Sequence, residues 1–176
     1  HETGRVTRQE LVSMIPVLAL EITPGEAVLD MCASPGSKTT QIAECLGDRG
    51  VVFANEISNS RANTLVSNVQ RHASRSPIVI NHDGRHLPKV PVEGFDKILV
   101  DAPCTGSATT RKNPEVWGKW TPQGGRSLHD LQISLLRKAV SLTRPGGRIV
   151  YSTCSLDPIE NEAVVAEIIR TEKGIQ

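Results

Sequence analysis

Two stretches hold residues that could do chemistry. They are DAPCTGSATTRKNPEVWGKW at 101–120 and YSTCSLDPIENEA at 151–163. Each places a cysteine, Cys104 or Cys154, just beyond an apolar run, and Cys104 follows a proline and the aspartate Asp101. A thiolate is a strong nucleophile. A single cysteine in such a place is more often a small buried apolar residue. Two cysteines at the ends of neighbouring parallel strands would instead face each other at the mouth of one site. The competing reading is a disulfide, which reducing surroundings would not sustain. Thr105-Gly106 reads as a flexible turn where a substrate could approach, with Pro103 stiffening the chain before it.

Other apolar runs also end in polar residues. The first ends in Asp30 and continues as MCASPGSKT, so Cys32, Ala33, Ser34, Pro35, Gly36, Ser37 and Lys38 form a candidate cofactor loop. Gly36 permits close backbone approach, and the helix that follows offers free N–H groups and a positive dipole end. The loop lacks G-x-G-x-x-G, which disfavours a dinucleotide. It suits a carboxylate, with Lys38 adding a point charge. An ordinary strand-to-helix turn is the plainer reading. Glu56, twenty residues after Gly36, ends the second run, where a carboxylate can accept both hydroxyls of a ribose. Asp83 ends the third, where it could accept from an adenine amino group. Each carboxylate alone could be a solvated loop residue. Together they describe a site for an adenosine ligand without phosphates.

These residues need a scaffold that gathers strand ends. EAVLDMCA, GVVFANE, PIVINHD, DKILVDAP and RIVYSTCS read as buried strands. PGSKTTQIAECLG, NSRANTLVSNVQRHA and RSLHDLQISLLRKAVSLTRPGG read as the helices between them, the last closed by Pro145-Gly146-Gly147. Asp157 and Glu160 resemble a capping box that opens a last helix with Pro158 at its first position. At the N-terminus Thr7 and Glu10 form a second such pattern. Leu11, Met14, Ile15 and Leu18 then make an apolar stripe, and Pro16 is expected to end or kink that helix. Alternating strands and helices give an α/β, doubly wound, mostly parallel sheet with helices on both faces. Ligands bind such sheets at the carboxyl ends of the strands.

The chain has 176 residues with 38% hydrophobic and 22% charged, which suits one globular domain over 1–176 with a helical lead-in at 1–24. No apolar run is long enough to span a membrane. A formal charge of +1 and 3% aromatics argue against a large sequence-independent nucleic-acid surface or a row of stacked bases. Arg71–His72–Arg75 reads as a solvated basic face, and Cys45 as a core residue. No cysteine or histidine spacing suggests a metal site. The first residue is not methionine, so a fragment of a longer parent is expected.

DMCASPGSKTTQ, DAPCTG, RKNPEVWGKW and YSTCSLDPIENEAVV resemble the signature segments of the Sun-domain family of RNA cytosine-5 methyltransferases. RQELVSMIPVLAL and RKNPEVWGKW are similar to its eukaryotic tRNA branch. The resemblance implies a Rossmann-like methyltransferase fold, S-adenosylmethionine as cofactor, RNA (tRNA in particular) as substrate, and an intracellular, nuclear or nucleolar location. It assigns Cys154 as nucleophile and Cys104 as the group that assists release. Asp101 lies between cofactor and base, Cys32 to Lys38 form the cofactor loop, and Glu56 and Asp83 bind ribose and adenine. It also implies two further strands, hence a C-terminally truncated chain, and Arg111, Lys112 and Lys119 near RNA phosphates. Rival readings are a DNA cytosine-5 methyltransferase with Cys104 as nucleophile, a non-catalytic RNA-binding scaffold and, more remotely, a nicotinamide oxidoreductase.

Overall fold

The structure, a computed structural model, describes residues 7–72 and 77–175. Helix α1 (Leu11–Leu20) leads into β1 (Ala27–Asp30), α2 (Ser37–Leu46), β2 (Val51–Asn55), α3 (Asn59–His72), β3 (Pro77–Ile80) and β4 (Phe95–Asp101). A short α4 (Glu115–Lys119), the long α5 (Pro122–Leu142), β5 (Thr143–Ser152) and α6 (Glu162–Thr171) follow. The five strands form one sheet in the order β3-β2-β1-β4-β5, and every neighbouring pair is parallel. The doubly wound expectation therefore holds, and β4 and β5 are neighbours as the two-cysteine argument required.

Alternation along the strands sorts the core onto two faces. Leu29, Ile98 and Val100 pack with Leu135, Leu136, Ala139 and Leu142 of α5 and with Val164 and Ile168 of α6. Val28, Val52 and Leu99 point the other way, onto Val17 and Leu20 of α1 and Ile42, Ala43 and Leu46 of α2. Ala54 packs there too, with Leu65 and Val69 of α3. Side chains on β1 and β4, such as Val28, Ile98 and Leu99, are wholly excluded from solvent.

Several local expectations are corrected. The N-cap of α1 is Glu10, without a side-chain cap bond. Thr7 lies before the helix, because the carboxylate of Glu10 is engaged instead by Arg111 and Lys112 at 2.8 and 2.6 Å. Pro16 lies inside α1, which continues to Leu20. A proline in a helix interior costs about 3 kcal/mol, and burying Val17 and Leu20 at about 1.5–3 kcal/mol each offsets it. The face of α1 that enters the core is Val17 and Leu20, whereas Leu11, Ile15 and Leu18 are exposed. Cys45 is exposed as well, on the outer side of α2.

The long helix begins at Pro122 and ends at Leu142, so Pro145-Gly146-Gly147 falls within β5. Phe95 pairs with Thr143 and Lys97 with Arg148, which leaves residues 144–147 bulging opposite Asp96. The last helix starts at Glu162, not at Pro158: Asp157 Oδ1 accepts from Ile159 N–H at 2.9 Å and so caps the turn before the helix, while the Glu160 carboxylate reaches Thr105 instead of the Asp157 N–H. In the Arg71–His72–Arg75 group, His72 is largely buried and pairs with Glu44 at 3.1 Å, while Arg75 lies outside the described residues.

The orientation of α1 gives the first prediction. Leu20→Ala is expected to cost about 2–4 kcal/mol, the range for emptying a packed leucine site, whereas Leu18→Ala stays within about 0.5 kcal/mol of wild type. Denaturant unfolding checks both.

Candidate active site

The site lies along the carboxyl edge of the sheet. Asp101 and Ser152 are register partners at the ends of β4 and β5, and the two chains leave the sheet side by side. Ala102 N–H donates to Ser152 C=O at 2.8 Å, and Ala108 N–H donates to Cys154 C=O at 3.0 Å. These bonds extend the pairing past the strands and hold Cys104 opposite Cys154. The two sulfurs are 3.2 Å apart, and Cys154 N–H also donates to Cys104 Sγ at 3.2 Å. Both thiols are free, so no disulfide joins them. Cys154 is exposed and Cys104 is half-buried.

The contact divides the two thiols chemically. The hydrogen bond from Cys104 stabilises the Cys154 thiolate and brings its pKa down to about 7, against burial and the nearby Asp101 carboxylate. Lys38 and the Cys154 backbone N–H act in the same lowering direction. Cys104 moves the other way, because it is the proton donor to Cys154 and is partly desolvated. The pair thus shares one proton: the Cys104 thiol favours charge on Cys154, while the Cys154 N–H bond to Cys104 Sγ acts the opposite way.

Asp101 lies beneath this pair. Its Oδ2 accepts from Lys38 Nζ at 2.6 Å and its Oδ1 from Ser152 Oγ at 2.7 Å. Lys38 thus pairs with Asp101 in this structure. Arg111 and Lys112 are engaged by Glu10, while Lys119 ends α4.

The candidate cofactor loop runs from Cys32 to Lys38. Gly36 has φ 108°, the left-handed region, and a Cβ there would strike Leu65 of α3. Glycine is thus required by both backbone and packing. Helix α2 starts without a side-chain cap, so the N–H groups of its first turn face the loop unclaimed by a capping side chain. Asn68 Nδ2 donates to Pro35 C=O at 2.8 Å and Arg61 Nη2 to Ser34 C=O at 3.0 Å, which pins the loop to α3. Ala33 and Ser34 are buried, and burial raises the thiol of Cys32 well above the usual range, which leaves it inert.

Glu56 follows β2, almost wholly buried, accepting from Ser58 N–H at 2.9 Å and lying 3.4 Å from Arg61. Asp83 lies three residues past the end of β3 and caps the short turn Gly84–His86. Arg85 grips its carboxylate through Nε and Nη2 and holds it far below the usual carboxylate range. Asp30 is wholly buried. Its Oδ2 accepts from Thr39 at 2.7 Å while Oδ1 has no partner. Burial pushes its pKa up to about 7 despite that bond. An orphaned carboxylate oxygen, an uncapped helix start and a buried acid after β2 fit a ligand with a cationic amine, a carboxylate and ribose hydroxyls. Among the described residues, no group of histidine, cysteine and acidic side chains could hold a metal ion.

Several residues of this region escaped sequence reasoning. Glu160 reads as a capping residue, yet it is wholly buried and accepts from Thr105 N–H, Thr105 Oγ1 and Gln132 Nε2. The turn at Thr105-Gly106 is therefore tied down. Gln132 was the available signal. It lies one turn from Leu135 and Leu136, a polar residue on the buried face of α5.

The family described as 16S rRNA methyltransferase RsmB/F matches residues 17–176. A multisite-specific tRNA:(cytosine-C(5))-methyltransferase of Saccharomyces cerevisiae is 46% identical, over 95% of this chain and 27% of its own length. A tRNA (cytosine(34)-C(5))-methyltransferase of Drosophila melanogaster is 43% identical, over 97% of this chain and 25% of its own. The chain thus spans about a quarter of the length of these curated relatives. Among solved structures, NSun6 from Pyrococcus horikoshii with SFG superposes with a TM-score of 0.88 at 34% identity, covering 96% of this chain and 43% of that one.

Two outcomes follow from the charges. Alkylation of Cys154 by iodoacetamide is expected to rise with pH through a midpoint near 7. Cys104→Ala removes the stabilising donor and moves that midpoint upward, as read by peptide mass spectrometry. For Asp30, a folded pKa near 7 lies above the unfolded value of about 3.9, so the folded state holds the extra proton between them. Stability therefore falls as pH rises through that window, and Asp30→Asn flattens that part of the unfolding profile.

Proposed function

The chain belongs to the RsmB/F methyltransferase family, and from that premise we propose that it methylates C5 of cytosine in RNA, tRNA above all, through a covalent bond from Cys154 to C6. The observation that carries this is the 3.2 Å contact of Cys104 and Cys154, in which Cys154 is the more exposed sulfur and has its pKa lowered to about 7. The names of the yeast and fly relatives favour tRNA. SFG, an S-adenosylmethionine analogue, in the archaeal neighbour supports the choice of cofactor.

When bound, S-adenosylmethionine supplies an electrophilic methyl group to C5. The loop from Cys32 to Lys38 and the start of α2 are the places for its methionine end, Glu56 for its ribose and Asp83 for its adenine. Carbon 5 of cytosine is a poor nucleophile. The Cys154 thiolate adds to C6, breaks the C5–C6 double bond and moves its electron pair toward C5. Asp101, when protonated, donates to N3 and supports the charge that develops on the ring. To do so it shares or gives up the Lys38 ammonium. After methyl transfer water takes the C5 proton, the C–H electron pair re-forms the C5–C6 double bond, and the C6–S bond breaks with its pair returning to sulfur as the Cys154 thiolate. Cys104 assists that release directly or through water. The base must leave its stack to reach this site.

The greater exposure and lowered pKa of Cys154, beside a half-buried Cys104, favour this reading over a DNA-type enzyme, in which Cys104 would attack. The test uses tRNA carrying 5-fluorocytidine, whose C5 fluorine cannot leave as a proton does. Wild-type protein with S-adenosylmethionine is expected to form a complex that survives a denaturing gel. Cys154→Ala abolishes it and lowers methyl transfer by on the order of a thousandfold or more. Cys104→Ala accumulates the complex on ordinary tRNA. Trapping that survives the first change and is lost with the second reverses the roles. A wild-type lane without complex supports the non-catalytic reading.

A further inference from the structure

Beneath the two cysteine loops lies a charged residue that the chemistry above does not use. Glu160 is 0% exposed. Its Oε1 accepts from Thr105 N–H at 2.9 Å and from Gln132 Nε2 at 3.0 Å, and its Oε2 accepts from Thr105 Oγ1. Gln132 Nε2 also reaches Pro103 C=O at 2.9 Å, so both residues flanking Cys104 are held from below. Thr105 Oγ1 lies 3.2 Å from Ser155 Oγ, next to Cys154, and Ser107 Oγ lies 3.2 Å from the same hydroxyl. Tyr151 O–H donates to the backbone carbonyl of Glu160 at 2.7 Å and joins the assembly to the end of β5. Helix α5 approaches so closely that a Cβ on Gly125 would strike Asp157 and press on Glu160, and one on Gly124 would crowd Thr105.

Among the described residues no lysine, arginine or histidine pairs with Glu160. A buried carboxylate without a counter-ion costs several kcal/mol unless hydrogen bonds replace the lost water. Here burial pushes its pKa up, yet the nearby Ser155 hydroxyl and the bonds from Thr105 and Gln132 outweigh it and hold the carboxyl below its usual value. A turn that needed only stiffness could be filled by a neutral side chain. A carboxylate gives shorter, stronger bonds to N–H and O–H donors, and these fix the donors in place. Its side-chain bonds run to Thr105 beside Cys104 and to Gln132 of α5, and Thr105 Oγ1 carries the link on to Ser155 beside Cys154.

We propose that Glu160 is a positioning residue that clamps the Cys104 and Cys154 loops together, so that the two thiols keep the contact that leaves Cys154 as the attacking sulfur. The inference rests on the proposed covalent function, and Glu160 acts through Thr105 without touching substrate.

The test compares Thr105→Val, Thr105→Ser and Glu160→Gln in the full-length protein. Four quantities are read: the pH profile of Cys154 alkylation, the Kd for S-adenosylmethionine, the KM for tRNA and kcat. Thr105→Val removes one hydroxyl and keeps the backbone N–H, so it stands even if Glu160→Gln fails to fold. The expected result is a Cys154 alkylation midpoint moved to higher pH in Thr105→Val, with kcat down roughly 10- to 100-fold, a range set by small losses of alignment. The Kd and KM stay within about twofold, a change worth less than about 0.5 kcal/mol, and Thr105→Ser restores the wild-type profile. An alkylation midpoint unchanged in Thr105→Val overturns the proposal. So does a loss of cofactor binding in step with kcat, or Thr105→Ser as impaired as Thr105→Val. Wild-type protein that makes no methylated RNA defeats the proposed function instead, while the alkylation arm still decides the clamp.

Discussion

Everything at the carboxyl edge of this sheet depends on one contact, a sulfur hydrogen bond between Cys104 and Cys154 at 3.2 Å. Two adjacent thiols cannot both ionise at low cost, so the first proton leaves easily and the second is held. The contact therefore lets one thiol of the pair ionise while the other holds its proton. Parallel pairing of Asp101 with Ser152 brings the two loops together, and backbone bonds beyond the strands carry that register out to the sulfurs.

Charge is distributed around the pair in a consistent way. Lys38 lies between the cofactor loop and Asp101, where its ammonium favours the Cys154 thiolate. Asp30 and Glu160 are buried deeper, and among the described residues neither forms an ion pair, although Lys38 lies near enough to Asp30 to favour its charge. One has an unpartnered oxygen and a raised pKa; the other is saturated with donors and has a lowered one. The first is suited to meeting an incoming cationic group. The second is suited to holding protein groups still. The same side-chain type thus serves opposite ends because its hydrogen bonds differ.

The sheet was legible because its signals are local. Apolar runs such as ILV in β4 and VVFA in β2 stand out, and polar residues mark the strand ends. Both cysteines and Asp101 could be placed from their position after those runs alone. The face of α1 was misread because Leu11, Ile15 and Leu18 match the helical spacing as well as Val17 and Leu20 do, and only the sheet decides which side is covered. Glu160 was missed because a capping box and a buried clamp share the same local pattern. Its partners, Thr105 and Gln132, are 55 and 28 residues away. Arg111 and Lys112 were read toward phosphate, and their engagement by Glu10 depends on a contact about 100 residues long that no local pattern contains.

The most direct measurement is to trap the protein on 5-fluorocytosine RNA, digest it with trypsin and nuclease, and find by mass spectrometry which cysteine carries the nucleotide. The account predicts the nucleotide on the peptide containing Cys154, with Cys104 unmodified. A nucleotide on Cys104 would contradict it.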